Sequence, residues 1–539
     1  MGWLEDESGL EKCRANYVPL TPLSHLSRAG QVFPDNEALV YEDTRYNYKE
    51  YCQQVTRLAS SLKQAGILPG DVVSTILPNT PPQFEAHFGV PACGAVLNTI
   101  NTRLEAKTIR YIVNHAKPKL MIVDTQYLPV LQNALTHLEG PQPTIIEAHD
   151  SLSGLNPSGQ YQTYDDFLNQ GDVNSKWYFP EDEWESLSLN YTSGTTGQPK
   201  GVVYHHRGAY ILTMGTVVSW RLTLFPKYLS IVPLFHCNGW LHPWLMPLLG
   251  GTVFCSREVS ARKIFEVITT EGITHTAGAP IILNMLANAT EDEKRPITNT
   301  VQVFTAGAPP AAATLKAVES LNMNVTHVYG LTETFGHVTE CLWNDSQWDS
   351  QDSDAACQLK SRQGVAMPGT ENVEVRHQNK RVPKDGSSLG EIFIRGNAIM
   401  KGYYRNPKAT HQAFAHGLFA TGDLAVQHPD SYIQIQDRSK DIIISGGENV
   451  SSVEVEGVIM KHHAVLLCAV VAKKHTKWGE VPHAFVELKP DSSALPEQII
   501  EFCRRHLAGF KVPKSVEFTS LPKTATGKIQ KFQLRKRLQ

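Results

Sequence analysis

At 539 residues the chain is too long for a single core, and more than one domain is expected. Hydrophobic residues make up 41% and charged residues 19%, a globular rather than a disordered balance. Lys plus Arg (50) against Asp plus Glu (53) leaves −3, which gives no electrostatic footprint for nucleic acid or an anionic membrane.

The N-terminal run Met1-Gly2-Trp3-Leu4-Glu5-Asp6-Glu7 is acidic and has no apolar signal core. Asp6 stands where a myristoylation pattern needs Ser or Thr. No run reaches the ~18 apolar residues of a membrane span. The nine cysteines are scattered without a CxxC pair, as in a reduced protein with free thiols. The tail Arg535-Lys536-Arg537-Leu538-Gln539 is not a Ser-Lys-Leu peroxisomal address. A soluble cytoplasmic protein without integral membrane association is the expectation.

Along the chain, short β-rich runs alternate with helical patterns. Val72–Leu77 precedes Pro81–Cys93, and Tyr228–Val232 precedes Trp240–Leu249. Ile273–Thr276 precedes Pro280–Ala289, and Val301–Phe304 precedes Ala311–Leu321. This alternation predicts parallel α/β layers. Leu187, Leu189 and Tyr191 alternate as in a strand, and Ala209–Trp220 reads as a helix. The polar stretch Asn344–Ser361 reads as a loop, and Leu389–Leu424 as a turn-rich antiparallel region. Four charges in Asp437-Arg438-Ser439-Lys440-Asp441 then interrupt the chain, a short junction suited to a hinge. Strands at Val465–Val471 and His483–Leu488 and a helix at Glu497–Leu507 predict a small α+β domain beyond it. The expected architecture is α/β: a large N-terminal domain of layered α/β subdomains (1–437), a hinge (438–441) and a small mobile α+β C-terminal domain (442–539).

Between the predicted strand and helix lies Tyr191-Thr192-Ser193-Gly194-Thr195-Thr196-Gly197-Gln198-Pro199-Lys200-Gly201. Glycines let backbone approach a ligand, successive N–H groups form an anion nest, and Lys200 adds a point charge suited to phosphate. Strand, loop, helix is a favoured phosphate setting. Gln198 and Pro199 separate Gly197 from Lys200, so the spacing is not that of a Walker P-loop. On composition alone a flexible surface loop fits equally.

Other stretches carry chemistry. Tyr329-Gly330-Leu331-Thr332-Glu333-Thr334 follows a strand, where α/β sheets bind ligands, and Glu333 is a hard oxygen donor suited to magnesium. Gly307-Ala308-Pro309-Pro310 would let a flat base lie on backbone, or form only a turn. Asp423 in Thr421-Gly422-Asp423 can accept from two vicinal hydroxyls; Arg438 could be an exposed ion pair. Phe235-His236-Cys237-Asn238-Gly239-Trp240 holds a histidine that on its own would be packed or at the surface. Pro522-Lys523-Thr524-Ala525-Thr526-Gly527-Lys528 and Ser445-Gly446-Gly447-Glu448-Asn449 lie in the tail, where Lys531, Arg535, Lys536 and Arg537 are expected to be solvated.

Taken together in their order along the chain, these stretches resemble the adenylate-forming (AMP-binding) superfamily, its acyl-CoA synthetase branch for short- to medium-chain or aromatic acids. The resemblance implies an ATP-dependent carboxylic acid:CoA ligase, an acid–thiol ligase that forms acyl-AMP and passes the acyl group to CoA. ATP, Mg²⁺ and CoA are the implied cofactor and co-substrates, the partners are small molecules, and a homodimer is left open. It implies ATP or AMP contacts from Thr192, Ser193, Gly194, Thr195, Thr196, Gly197, Lys200, Gly307, Ala308, Pro309, Tyr329, Gly330, Thr332, Asp423, Arg438 and Lys528. Metal would be held by Thr195 and Glu333, CoA would pass Gly446 and Gly447, and His236, Trp240, Tyr329 and Gly330 would line the acyl site. Lys528, His236, Lys200 and Glu333 would be catalytic, with Lys440 the pivot of the tail. Loading of a carrier protein, a luciferase-like oxidation, and an inert nucleotide-binding regulator are the alternatives.

Overall fold

The predicted alternation condenses into two large sheets. The computed structural model describes residues 8–192, 198–308, 310, 312–343, 348, 353–438, 441–446, 448–490, 492–524 and 528–538. Among them, one sheet orders Val365–Ala366, Thr339–Glu340, Met323–Tyr329, Val301–Thr305, His275–Gly278, Lys227–Ser230, Thr252–Cys255, Glu37–Tyr41 and Thr44–Asn47. The other orders Gly402–Tyr403, Gly201–His205, Ser186–Tyr191, Val96–Thr99, Val72–Ile76, Leu120–Asp124, Thr144–Ala148 and Gln162–Thr163. The central strands are parallel, for instance Val303 beside Val325 and Ser74 beside Met121. Val72–Ile76 is buried at every position. Its sequence Val-Val-Ser-Thr-Ile lacks a polar face because helices or loops cover both sides. Arg257 binds Asp124 at 2.8 Å and Asp150 at 2.9 Å, coupling strand ends of the two sheets.

A third, antiparallel sheet of Lys380–Arg381, Thr370–His377, Gly390–Gly396, Phe419–Gln427 and Ile433–Arg438 realises the predicted turn-rich region. Beyond it, Glu448–Val450, Ile443–Ser445, Gly479–Leu488, Val465–His475 and Ser515–Phe518 form the sheet of the tail, backed by helix Pro496–Arg504. Its core of Ile443, Val455, Ile459, Val470, Ala484, Val486 and Ile499 is separate from the larger cores. The expected α/β class with a large and a small domain is observed.

Three expectations change. A strand, Gly201–His205, intervenes before helix His206–Ser219 and pairs antiparallel with Ser186–Tyr191. The glycine-rich stretch therefore spans a hairpin, not a helix N-terminus. Ser353–Lys360 within the expected loop is a helix, because Cys357 packs into the core around Leu315 and Val318. Lys531 and Arg535 are not solvated: Lys531 binds Glu456 at 2.7 Å, and Arg535 pairs with Asp441. All nine cysteines are free, as expected. No helix among the described residues is long and apolar enough to cross a membrane.

The cores contain many histidines. Burial pushes the imidazoles of His25, His87, His327 and His337 down to about 4, and that of His206 to about 3. An unfolded imidazole titrates near 6.5, so the unfolded state binds more protons between the two values. Stability is complete above about pH 6.5 and falls as pH drops toward 4, each such histidine steepening the loss by up to about 1.4 kcal/mol per pH unit. The melting temperature is expected to fall steeply between pH 6.5 and 4.5; a flat profile would mean these rings are not buried neutral.

Candidate active site

The parallel strands of the nine-stranded sheet end at one edge, and the candidate residues project from the turns that follow. Strand Met323–Tyr329 delivers Tyr329, whose hydroxyl donates to Asp423 Oδ2 at 2.8 Å. Asp423 lies in strand Phe419–Gln427 directly across from Arg438, and Arg438 Nε meets Asp423 Oδ1 at 3.1 Å. Arg438 is thus in an ion pair, but with a buried carboxylate, only 4% exposed, rather than at the open surface. Asp423 is set up to accept further hydrogen bonds opposite the last residue of strand Ile433–Arg438.

Gly330 is fixed by sterics. A Cβ there would lie 1.7 Å from the carbonyl oxygen of Gly336, so only glycine lets the chain fold back after Tyr329. The next turn, Thr332–Thr334, is held by Tyr204, whose hydroxyl donates to the Thr332 carbonyl at 2.6 Å. Glu333 Oε1 accepts from the Tyr403 hydroxyl at 2.8 Å. Lys200 Nζ lies 4.5 Å from the centroid of the same ring. Lys200 also closes the hairpin neck, its carbonyl accepting from Thr192 N at 3.0 Å and its N–H donating to Thr192 Oγ1 at 3.3 Å. Gly307, with φ +96°, and Ala308 are exposed after strand Val301–Thr305.

The histidine loop is strained. From Cys237 to Leu241 five consecutive residues have positive φ (44, 42, 62, 55 and 62°), four of them not glycine. Left-handed backbone costs roughly 1–2 kcal/mol per non-glycine residue and persists only where surroundings over-determine it. Asn238 supplies that constraint: its Oδ1 accepts from Ser188 Oγ at 2.7 Å and Asn190 Nδ2 at 2.5 Å. The loop turns His236 toward Thr332, with Cys237 Sγ 3.9 Å from His236 Nε2 and 3.7 Å from Thr332 Oγ1. Trp240 is buried, its ring edge-on to His242 and His337 at 6.2 and 6.1 Å.

Burial first, and then the positive charge of Lys528, push His236 down to about 4. Lys528 is carried on a tight loop: Thr524 N donates to its carbonyl at 2.7 Å, and its N–H donates to Thr524 Oγ1 at 3.1 Å. Gly446, at φ +63°, leaves room for the indole of Trp478, which a Cβ would meet at 2.9 Å. The contacts thus join Lys200 and Glu333 through Tyr403, Tyr329 and Arg438 through Asp423, and His236 and Thr332 through Cys237, with Gly446 on the tail. Ser193, Gly194, Thr195, Thr196, Gly197, Pro309, Lys440 and Gly447 lie outside the described residues. Sequence reading missed Tyr403, Tyr204 and Asn238; only the tyrosines beside Gly402 gave a signal, as aromatics near a glycine.

Comparison with known proteins matches residues 26–404 to the AMP-binding enzyme family and 454–528 to the AMP-binding enzyme C-terminal domain. The chain belongs to this family. It is 44% identical to the peroxisomal acetate/butyrate–CoA ligase AAE7 of Arabidopsis thaliana, over 98% of this chain and 96% of that one. It is 43% identical to the peroxisomal trans-cinnamate:CoA ligase of Petunia hybrida, over 98% and 95%. The fold matches that of the anthranilate CoA ligase AuaEII, solved with anthranoyl-AMP, at a TM-score of 0.83 and 24% identity over 98% and 99% of the chains. The expected family and fold are borne out.

The Asp423 ion pair yields a direct check. Asp423→Asn keeps the shape and the Tyr329 hydrogen bond but removes the charge facing Arg438. One charge-assisted hydrogen bond of about 1.5–3 kcal/mol corresponds to roughly 10–100-fold weaker AMP binding. Calorimetric titration with AMP reads this; unchanged affinity with a normal melting curve would remove Asp423 from the nucleotide site.

Proposed function

We infer that the protein is an ATP-dependent, AMP-forming acid:CoA ligase, the activity named for its full-length relatives and expected from the sequence. The observation that carries this reading is the set of contacts in which Tyr329 donates to Asp423, Asp423 pairs with Arg438, and Cys237 lies between His236 and Thr332. A carboxylate is a poor electrophile, so it must acquire a leaving group before a thiol attacks. Its oxygen bonds to the α-phosphorus of ATP, and pyrophosphate departs with the electron pair of the broken P–O bond. Lys528 and Lys200 offset the repulsion between the two anions. His236 is neutral at physiological pH, so it orients the carboxylate by hydrogen bonding and adds no charge. Asp423 takes the ribose hydroxyls, Arg438 and Thr332 face the α-phosphate, and Gly307 with Ala308 border the adenine. The CoA sulfur then attacks the acyl carbonyl and AMP leaves.

Glu333 and Thr195 are proposed to hold Mg²⁺, which supplies positive charge against the polyphosphate when bound. Among the described residues no three His, Cys, Asp or Glu side chains gather into a metal cage. A lone carboxylate suits an ion that shares its coordination with phosphates and water. The domains are proposed as 1–437 and 442–539 about a 438–441 hinge pivoting at Lys440, with CoA entering past Gly446 and Gly447. The proposed compartment is the cytoplasm, on the free thiols; the names of several relatives place those proteins in peroxisomes. ATP–pyrophosphate exchange followed by thioester detection over an acid panel tests the activity. Transfer to a carrier protein or an inert nucleotide-binding protein would give no CoA thioester.

Lys528→Ala is expected to cut adenylation by ~10²–10³, as for one preorganised donor, and largely to spare thioester formation from preformed acyl-AMP. Equal losses in both half-reactions would sink this division of labour. For the acid, the buried Trp240 supports short- to medium-chain or small aryl substrates over long fatty acids. Each methylene that fits adds about 0.8 kcal/mol, so kcat/KM should climb with chain length and then break. Trp240→Ala is expected to move the break to longer chains; an unchanged optimum with a large drop in melting temperature would make Trp240 purely a core residue.

A further inference from the structure

The segment from Met400 to Arg405 is tied to both phosphate-facing elements. Met400 N donates to the Glu333 carbonyl at 2.9 Å, and Tyr404 N donates to the Gly201 carbonyl at 2.7 Å. Gly402–Tyr403 pairs antiparallel with Val202 and Val203. The Tyr403 ring consequently sits between two proposed catalytic groups, its hydroxyl on Glu333 at 2.8 Å and the Lys200 ammonium 4.5 Å from its centroid. Outside it opens a cleft of about 410 Å³, bordered by Lys200, Tyr403, Tyr404, Arg405, Asn406 and His115.

Two cations and no carboxylate line this cleft among the described residues. Arg405 is held at φ +51°, a left-handed conformation that arginine seldom adopts and that marks an over-determined position. One of its Nη groups donates to the His115 carbonyl at 3.0 Å, and its guanidinium lies 4.9 Å from the Tyr404 ring centroid. One committed donor leaves a planar fork of the kind that binds phosphate oxygens in pairs.

We propose that this cleft receives the pyrophosphate group displaced from ATP, with Arg405 as its second cation and Tyr403 as a residue that positions Glu333 and Lys200 at its mouth. The proposal rests on the ligase reading above. As the carboxylate oxygen bonds to the α-phosphorus, the bond to the bridging oxygen breaks and its electron pair moves onto the β-phosphate. Negative charge thus grows on the departing side, where cations stabilise the transition state more than bound ATP. CoA also carries a pyrophosphate group, so the test separates the two sources.

Arg405→Gly removes the guanidinium and relieves the left-handed backbone; Arg405→Lys keeps a charge without the fork. In the full-length enzyme, ATP–pyrophosphate exchange gives KM for pyrophosphate, and preformed acyl-AMP with CoA gives KM for CoA. Arg405→Gly is expected to raise the pyrophosphate KM and inhibition constant about tenfold or more, as for one lost charge-assisted bond, with Arg405→Lys recovering part of the loss. KM for CoA and the affinity for AMP should not change. Tyr403→Phe is expected to lower the exchange rate about tenfold at an unchanged melting temperature and CoA KM. An unaltered pyrophosphate KM in Arg405→Gly overturns the proposal, as does a shift confined to CoA. Absence of exchange in the wild type would instead overturn the ligase reading itself.

Discussion

Two anions must be brought into contact, and that repulsion governs the layout of the site. At 4 Å a pair of unit charges repels by about 4 kcal/mol at the effective dielectric near a protein surface. The cations proposed to answer it come from separate elements: Lys200 from a hairpin, Arg438 from the antiparallel sheet, Lys528 from the tail. None is adjacent to another in the chain. Gathering them is a task for the whole fold, because an isolated segment holding all these charges would repel itself. Arg438 is the cation tied to a buried partner, Asp423, so its position is set before a nucleotide arrives.

The histidine loop answers a different demand. Lys528 already supplies positive charge at this point, so a protonated imidazole beside it would repel the lysine. Burial keeps His236 neutral, and the lysine reinforces this. Burying the ring beside the Thr332 turn requires the backbone to reverse within five residues, all at positive φ. The polar contacts of Asn238 and the packing of Trp240 and Leu241 hold that reversal. The strain lies next to the proposed position of the reacting carboxylate, where orientation matters most.

Much of this was legible in the residues. Strand–helix alternation marks parallel layers because a buried strand and an amphipathic helix have different periods. Asp423 and Arg438 could be singled out by type and motif, but not their cross-strand registry, which depends on a bulge between Leu424 and Ala425. The Gly201–His205 strand was hidden because Val202, Val203 and Tyr204 run straight into a helix without a turn residue. Helix Ser353–Lys360 was hidden because its anchor, Cys357, touches residues some forty positions away, such as Leu315. Gly402 beside Tyr403 marked an aromatic next to a glycine, but the role of Tyr403 could not be found from its neighbours, since its partners Glu333 and Lys200 lie 70 and 203 positions distant.

The tail shows the same dependence on distant pairing. A lysine near a chain end reads as solvated, yet Lys531 meets Glu456 at 2.7 Å and Ser452 Oγ at 2.5 Å, and Ser452 in turn donates to the buried Asp437. Arg535 fixes Asp441 on the other side of the junction. Buried ion pairs add little net stability, because desolvation consumes most of the Coulomb gain, but they are costly to break one partner at a time. They therefore define geometry more than they add stability. Here they fasten helix Lys531–Arg537, three residues after Lys528, to helix Ser452–Ile459 of the tail and to the flanks of the proposed hinge. In the proposed mechanism a lysine needed in one half-reaction and obstructive in the next has to move as part of a rigid unit. Lys531 and Arg535 pair with groups on the tail and its junction, and Ser452 carries the Lys531 contact on to Asp437 at the end of the large domain, so the helix that follows Lys528 is tied to both flanks of the proposed hinge.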